Sequence, residues 1–220
     1  MTDQSVTILS MPRIAAAERH AHGETRRAQI LDAALRLWMR QGFHATPVDA
    51  VAREAGVAKG TIYLYFPTKE AMLAALVDRH SLLPAIEELT QRLGDVPPER
   101  AIPLIASELW QRLKERAPLI ALLMREVSFR PEHARIFLER VVLPANRRFA
   151  AYLDRFVERG VLRPCDTFAA GRVFLGMLVM FVLSQEVLGG AALRPIDDET
   201  VVETAAQVFL RGVLAAREAS

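Results

Sequence analysis

The sequence has a single cysteine, few lysines and little net charge. Because Cys165 stands alone, no intramolecular disulfide can form, which fits a reducing compartment, and we expect a cytoplasmic protein. Of 28 cationic residues only three are lysines, and the formal net charge is +2. Residues 1–80 hold 10 cationic and 8 acidic residues, whereas residues 81–220 hold 18 of each, so the small excess lies in the N-terminal third. Such a weak basic footprint argues against a general polyanion binder.

The chain also lacks the motifs of the common enzyme classes. It contains no glycine-rich phosphate loop, no HExxH, no cysteine cluster and no serine-centred elbow, and its five histidines are scattered. His20 and His22 alone are too thin a pattern for a metal site. We therefore expect no enzyme, no metal and no cofactor.

Long hydrophobic runs are absent as well. The N-terminus does not have the basic flank and apolar stretch of a signal peptide. The most apolar run, from residue 173 to 183, has 11 residues, and a bilayer span needs about 20. This run predicts a buried helix and no membrane partner.

The hydrophobic periodicity predicts an all-α protein of nine helices. Residues 1–24 are polar and irregular and predict a flexible arm, residues 25–70 a three-helix head, and residues 71–220 a larger helical domain. The arm could alternatively place Arg13, Arg19, Arg26 or Arg27 on phosphates. Pro84 should bend or break the fourth helix, and Pro144 should kink the helix over 132–159.

Residues 46–70 predict two short helices joined by a tight turn. Thr46 is a residue type that favours the N-cap, Pro47 suits the first helical position, and Asp49 complements the helix dipole. Gly56 should end this helix in the left-handed conformation. The next helix, from Ala58 to about residue 65, then has the position of a recognition helix in a helix-turn-helix.

Several residues of this stretch have the chemistry that DNA binding requires. Lys59 and Tyr63 are four apart and share a helix face, and Thr61 can contact a phosphate or a thymine methyl group. Gly60 is a poor helix residue that permits close approach of the backbone to DNA. Lys69, after a probable Thr68 N-cap, would form an anion site together with the helix N-terminus.

The pattern resembles the DNA-binding head of the TetR family of bacterial one-component repressors. The resemblance covers residues 25–72 and rests on an ungapped string, which reads GFxxT from Gly42, then VAxxAGVAKGTIYxYFPTKE from Val51. It implies a nine-helix fold, a small-molecule ligand bound in the rest of the chain, and a homodimer formed by the last two helices.

The resemblance also implies the residues that contact DNA. Phosphate contacts are expected from Thr46, Tyr63, Tyr65 and Lys69, and groove contacts from Lys59, Gly60, Thr61 and Leu64. Leu64 cannot hydrogen-bond a base, so it should touch a thymine methyl group or turn inward. Pro47 stands where the family often has a hydroxyl residue, which removes one possible phosphate donor.

Beyond residue 72 the sequence is less specific. Six residues are candidates for an apolar ligand pocket, although core packing is the alternative for each: Trp110, Leu113, Met124, Phe137, Phe149 and Tyr152. Four acids could instead pair with a cationic ligand or with neighbouring arginines: Glu108, Glu115, Glu126 and Glu186.

The helices at 166–189 and 198–216 are the candidates for a homodimer interface, with Gly171 and Gly176 allowing close approach.

These observations favour a ligand-responsive transcriptional repressor. It would bind a palindromic double-stranded DNA operator as a homodimer and be released by a small, largely apolar effector, with efflux or detoxification genes as its targets. The alternative is a helical adaptor that binds protein partners and keeps a vestigial DNA-binding head.

Overall fold

The computed structural model describes residues 11–127 and 131–215, where helices joined by turns and loops make up the fold. The chain forms two compact units that divide between Leu76 and Val77, six residues after the predicted boundary. The helices are α1 (Met11–Gln41), α2 (Val48–Glu54), α3 (Lys59–Tyr65), α4 (Lys69–Arg79), α5 (Leu83–Arg92), α6 (Pro98–Glu115), α7 (Ala117–Val127), α8 (Pro131–Phe137), α9 (Leu143–Glu158), α10 (Thr167–Val182) and α11 (Asp198–Val213).

The all-α prediction is confirmed, and the described residues contain no strand beyond one isolated bridge between Leu162 and Leu214. The predicted count of nine helices also holds for them when continuous segments are joined. The segments α8 and α9 are linked by a π-helical turn at Leu138–Val142. The helices α4 and α5 are separated at residues 80–82 and count as the one predicted helix with a break.

The N-terminal helix is longer than the sequence suggested. We expected a flexible arm over residues 1–24, but α1 begins at Met11, so the arm prediction is wrong for residues 11–24. Gly23 lies inside α1, and a single glycine costs only about 1 kcal/mol in a helix. The side chains of Arg13 and Arg19 lie outside the described residues.

The start of α2 differs from the prediction by one residue. Pro47, with extended backbone dihedrals, is the N-cap, and Val48 is the first helical residue. Thr46 is completely buried, and its hydroxyl donates to the carbonyl oxygen of Gly42 at 2.7 Å. Thr46 therefore closes the turn after α1 instead of capping α2.

Prolines account for both irregularities in the longer helices. We expected the fourth helix to run past Leu82, but α4 ends at Arg79 and α5 begins at Leu83, so Pro84 falls in a first turn. Pro144 cannot donate a backbone hydrogen bond, and the π-helical turn Leu138–Val142 lies directly before it. The predicted kink is thus a local widening of the helix.

The core of the second unit is built around stacked aromatic rings. Phe149 of α9 lies 5.2 Å from Phe174 of α10 and 6.4 Å from Phe209 of α11, measured between ring centroids, and all three are buried. Gly171 makes this packing possible, because a Cβ there would lie 3.1 Å from Phe149. We had assigned Gly171 to the dimer contact, but it serves contact between α9 and α10 within the chain.

The apolar helix α10 is only partly buried, whereas the sequence predicts a buried helix. Together with a π-helical turn it forms a 21-residue helix over Thr167–Val187, with a mean hydropathy of 1.8 and 28% of its most apolar window buried. By length and composition it could cross a membrane, although core helices of soluble proteins pass the same test. Its packing against α9 and α11 leaves one apolar face exposed.

Candidate nucleic-acid interface

A tight turn joins α2 to α3. Gly56 adopts the predicted left-handed conformation, with φ of +63°. The amide of Val57 then donates to the carbonyl of Ala52 at 3.0 Å, which ends α2. Ala52 and Ile62 are buried, so α3 packs on α2 through small and branched apolar side chains. This is the arrangement of a helix-turn-helix.

Helix α1 holds the end of α2 in place. The Gln29 side-chain amide donates to the Ala55 carbonyl at 2.7 Å, and this oxygen would otherwise be unpaired at the helix C-terminus. Glu54 contacts Arg36 at 3.1 Å and Arg40 at 3.3 Å. The hydrogen bond from Arg36, aided by the charge of Arg40, lowers the pKa of Glu54.

The opposite side of α3 is open. Leu64 is 85% exposed and Tyr63 is 47% exposed. Gly60 is exposed too, and a Cβ added to it would meet nothing within 4 Å in the described structure. The predicted groove residues Lys59, Gly60, Thr61 and Leu64 thus lie on a short helix whose surface is accessible. Leu64 points to solvent, which excludes the alternative that it turns inward.

Lys59 has an acidic partner that the sequence reading missed. Its ammonium group lies 2.8 Å from the Asp49 carboxylate, and both side chains are about half exposed. This hydrogen bond, reinforced by the charge of Asp49, raises the pKa of Lys59. We had interpreted Asp49 only as a complement to the α2 dipole. The missed signal was that the helix-turn-helix brings the first turn of α2 beside the first turn of α3.

Lys69 lies at the start of α4, as predicted. Thr68 accepts a hydrogen bond from the Ala71 amide at 3.0 Å and is the expected cap. The Lys69 ammonium group donates to the His44 carbonyl at 3.3 Å and lies 4.6 Å from the centre of the Phe43 ring. These contacts orient the lysine along the loop between α1 and α2 and keep it partly exposed.

Two predicted phosphate contacts have different outcomes. Because Thr46 is buried and bonded to Gly42, it presents no hydroxyl group to DNA in this structure, and we correct that assignment. Tyr65 is partly exposed and remains accessible.

The predicted ligand-lining residues lie in different environments. Four of them are packed in the closed core of the second unit: Trp110, Leu113, Phe149 and Tyr152. Met124 is 46% exposed, and Phe137 is partly exposed. Glu108 lies 3.8 Å from Arg112 and Glu115 lies 3.7 Å from Arg116, as the alternative of pairing with arginine predicted. Glu186 is exposed, and the Glu126 side chain lies outside the described residues.

A cavity of 190 Å³ lies between α5 and α9. Of the six predicted ligand residues only Tyr152 lines it, with five others that the sequence reading missed: Thr90, Gln91, Arg148, Ala151 and Arg155. The recoverable signal was the spacing of Arg148, Tyr152 and Arg155, which places two cations and a phenol on one face of α9. Within the described side chains, no group of three His, Cys, Asp or Glu residues could hold a metal ion.

The second unit also has an exposed apolar surface on its last two helices. Val173 and Met180 of α10 are each 60% exposed, and Val208 of α11 is 57% exposed. Gly176 is exposed beside them, and nothing described lies within 4 Å of the Cβ it lacks. Val173, Gly176 and Met180 are three, four and seven residues apart, so they share one face of α10.

Comparisons with known proteins agree with this geometry. Residues 30–76 match the family "Bacterial regulatory proteins, tetR family", and residues 113–212 match "AefR-like transcriptional repressor, C-terminal domain". The transcriptional regulator YfiR of Bacillus subtilis is 28% identical over 71% of this chain and 78% of its own. The repressor KstR of Rhodococcus jostii is 35% identical over 57% of this chain and 58% of its own.

One solved structure extends the similarity to nearly the whole fold. It is described as "Flavonoid-responsive Regulator FrrA" and has a TM-score of 0.65 at 27% sequence identity, covering 89% of this chain and 100% of its own. The two family matches and the solved structure thus span both units of the chain.

Proposed function

Because the chain belongs to the TetR family of ligand-responsive, DNA-binding transcriptional regulators, we propose that it is a repressor that binds a palindromic operator as a homodimer. A small, largely apolar effector releases it from DNA. The genes that it regulates function in efflux or detoxification. The protein acts in the cytoplasm and does not catalyse a reaction.

The observation that carries this proposal is the exposed face of α3. Its first turn presents Lys59, Gly60 and Thr61. Because Gly60, the middle residue, has no side chain, the helix backbone can approach base edges closely. Tyr63, Tyr65 and Lys69 flank this turn and contact phosphates, which set the position of the helix in the groove.

Lys59 changes partners when DNA binds. Its contact with Asp49 joins two half-exposed side chains, and such surface pairs contribute only about 0–1 kcal/mol. A phosphate or a guanine edge offers a stronger, charge-assisted partner in the groove. Breaking the contact with Asp49 therefore lowers the affinity for the operator only slightly. It disfavours binding to DNA sequences that offer Lys59 no contact in its place.

Leu64 reads the base sequence through apolar contact. Its side chain is 85% exposed on the groove-facing helix. Because leucine has no hydrogen-bonding group, its favourable contact is the C5-methyl group of thymine. We propose that the half-site contains a thymine opposite Leu64.

The dimer forms through α10 and α11. The exposed apolar residues on these helices would be covered by the same residues of a second copy, as a two-fold interface requires. The dimer then presents two α3 helices to half-sites about 34 Å apart.

The effector proposal is supported by one similar solved structure and by two side chains of the second unit. FrrA is described as responsive to flavonoids, which are aromatic molecules. Met124 is 46% exposed and Phe137 is partly exposed, so both lie at the surface of the second unit. An effector that favours a dimer with a different spacing of its α3 helices lowers operator affinity by population shift.

Selection of binding sites from random DNA, followed by fluorescence anisotropy with the full-length protein, tests this function. We expect an inverted repeat bound about 10³-fold more tightly than bulk DNA, in the usual range for specific regulators. Leu64→Ala should weaken binding to the selected site and lose the preference at one base pair, with an unchanged salt dependence.

Lys59→Ala distinguishes the repressor from the adaptor. If the protein is a repressor, this substitution should lower its affinity for the operator and reduce the salt dependence of binding by about 1 for each lysine removed. If the head is vestigial, the wild type prefers no DNA sequence and the substitution has no operator affinity to lower. Protein that binds all sequences equally would contradict the proposed function.

A further inference from the structure

The cavity between α5 and α9 has the chemistry of an anion site. Two arginines line it, together with Thr90, Gln91, Ala151 and Tyr152, and no acidic side chain is among the lining residues. Arginine guanidinium groups in a protein stay charged at neutral pH. The cavity therefore concentrates two positive charges without an acid in its lining.

Arg148 is the less satisfied of the two arginines. Its Nε is buried and has no hydrogen-bond partner, and the described part of the chain supplies no ion pair for its guanidinium group. An unpartnered charged donor is costly to bury, since the group loses its hydration without replacement. A bound anion would supply the missing acceptor.

Arg155 is held in place by neutral contacts. It donates to the Thr90 carbonyl at 3.3 Å, and its guanidinium carbon lies 5.2 Å from the centre of the Tyr152 ring. Gly94 leaves room for it, because a Cβ there would lie 3.3 Å from an Arg155 nitrogen. These contacts fix its direction and leave its charge unneutralised within the described residues.

Tyr152 adds a second donor in the same cavity. The residue is 2% exposed, yet its hydroxyl has no hydrogen-bond partner among the described residues. Burial raises the pKa of Tyr152 to about 12, so the hydroxyl keeps its proton and can donate. Arg148 and Tyr152 are four residues apart on α9, so their unpaired donors lie on the same face of the helix.

Two acids on these helices are engaged elsewhere. Glu88 of α5 contacts Arg92 at 3.7 Å and Arg112 at 3.5 Å. Asp154 of α9 accepts a hydrogen bond from the Thr167 hydroxyl at 2.6 Å. Neither of them lines the cavity, so neither neutralises its two arginines.

The size of the cavity limits what it can hold. Its 190 Å³ is below the roughly 300–1,000 Å³ of complete ligand pockets, and each water needs about 30 Å³. The exposed residues Gln91 and Ala151 are in its lining, so it is reached from solvent. It fits a small organic anion or the acidic end of a larger molecule.

We propose that this cavity binds the carboxylate or phosphate group of an organic anion through Arg148, Arg155 and the Tyr152 hydroxyl. Binding joins α5 to α9 through the anion. That this anion is the effector, or the acidic end of it, rests on the proposed repressor function; the binding itself does not.

Isothermal titration of the full-length protein tests the site with matched probes. Benzoate carries a carboxylate, benzamide has the same shape without charge, phenyl phosphate carries a phosphate, and inorganic phosphate has no organic part. We expect benzoate or phenyl phosphate to bind and benzamide not to bind at millimolar concentration. Binding of inorganic phosphate alone would also support an anion site and identify phosphate as its ligand.

Arginine substitutions locate the site. Arg148→Gln should weaken anion binding about tenfold or more, since it removes a charge-assisted bidentate donor, and Arg148→Lys should recover only part of the loss. Arg147→Gln is the matched control, because Arg147 is the adjacent exposed residue on α9 and does not line the cavity. Tyr152→Phe should weaken binding about fivefold through loss of one hydrogen bond.

Two results would overturn the proposal. One is that none of the three anions binds at millimolar concentration, and the other is that Arg147→Gln and Arg148→Gln weaken binding equally. Operator binding by the same variants separates this inference from the proposed function. If the wild type selects no DNA site, the repressor proposal fails while the titrations still decide the anion site. If Arg148→Gln keeps both operator binding and full anion affinity, only the anion site fails.

Discussion

The two units of the protein treat their cationic side chains in different ways. In the head, Lys59 contacts Asp49 at 2.8 Å and Lys69 donates to the His44 carbonyl, and both lysines are at the surface. In the second unit, Arg148 and Arg155 line a cavity without an acidic partner in its lining. The lysines have weak partners that water and DNA can replace, whereas the lining of the cavity gives the two arginines no acidic partner.

This difference follows from what each surface has to bind. DNA is a polyanion of fixed geometry, so a few exposed cations suffice, and exposed ion pairs exchange at little cost. A small anion contributes few contacts, so its site has to be prepared with unpaired donors before the ligand arrives. Under our two proposals, the lysines of the head exchange an acidic partner for DNA, and the arginines of the second unit bind an anion.

The largest expected effect concerns the aromatic core of the second unit. Phe149→Ala should lower the free energy of unfolding by about 3–5 kcal/mol, because it removes a fully buried ring among Phe174, Tyr152 and Phe209. Denaturant unfolding measures this loss, and Phe168→Ala at a 39% exposed position is the control. A small loss at Phe149 would restore the sequence-based interpretation that this residue lines a ligand pocket.

The next effect concerns the apolar face of α10. Met180→Glu should cost about 3 kcal/mol or more of dimerisation free energy, since it would bury an uncompensated charge at the proposed interface. Light scattering after gel filtration reports the change from dimer to monomer. Leu104→Glu, which changes a 52% exposed leucine of α6, should leave the dimer intact. A Met180→Glu protein that stays dimeric would move the interface elsewhere.

A smaller effect is expected at Lys69. Lys69→Ala should weaken binding to all DNA sequences and reduce the salt dependence by about 1 for each lysine removed, because one phosphate contact disappears per head. Anisotropy titrations at several salt concentrations measure the slope. Arg92→Ala, which removes an exposed cation of α5, is the control and should leave the slope unchanged. An unchanged slope in Lys69→Ala would limit this lysine to holding the loop at His44.

The smallest effect tests a surface ion pair in the head. The hydrogen bond from Arg36, together with the charges of Arg40 and Arg36, lowers the pKa of Glu54 below its unfolded value. The stabilisation is thus fully present above the unfolded pKa and is lost as the pH falls through the folded pKa. Glu54→Gln should therefore lower thermal stability at neutral pH and have no effect at strongly acidic pH.

The control for this pair is Glu203→Gln on α11, for which the described structure gives no ion pair. Its stability should follow that of the wild type at both pH values. An equal loss for Glu54→Gln at neutral and acidic pH would show that the carboxylate charge is not the cause.

The head could be predicted from its sequence because its determinants are local. Gly56 ends α2 in the left-handed conformation, and Thr68 caps α4, as their residue types indicated. Thr46 is the exception. Its residue type predicts an N-cap for α2, but its hydroxyl donates to the Gly42 carbonyl. Pro12 and Gly23 were also misleading, because neither is sufficient to end a helix at its position.

The second unit was less predictable because its site depends on which helix faces meet. Phe149, Trp110 and Leu113 are apolar in the sequence whether they fill a core or line a pocket. Arg148 and Arg155 look like two of many surface arginines until α5 packs on α9 and encloses them with Tyr152.

The sequence by itself determined the all-α class, the helix-turn-helix and the family, because capping residues, the turn glycine and the string around Lys59 act over a few residues. Only the tertiary structure decided that Thr46 is buried, that Lys59 meets Asp49, that Gly171 admits the ring of Phe149, and that Arg148 faces a cavity. Apart from the Thr46 hydrogen bond, which stays within one turn, these features bring together residues of different helices, and their formation depends on packing that no local pattern encodes.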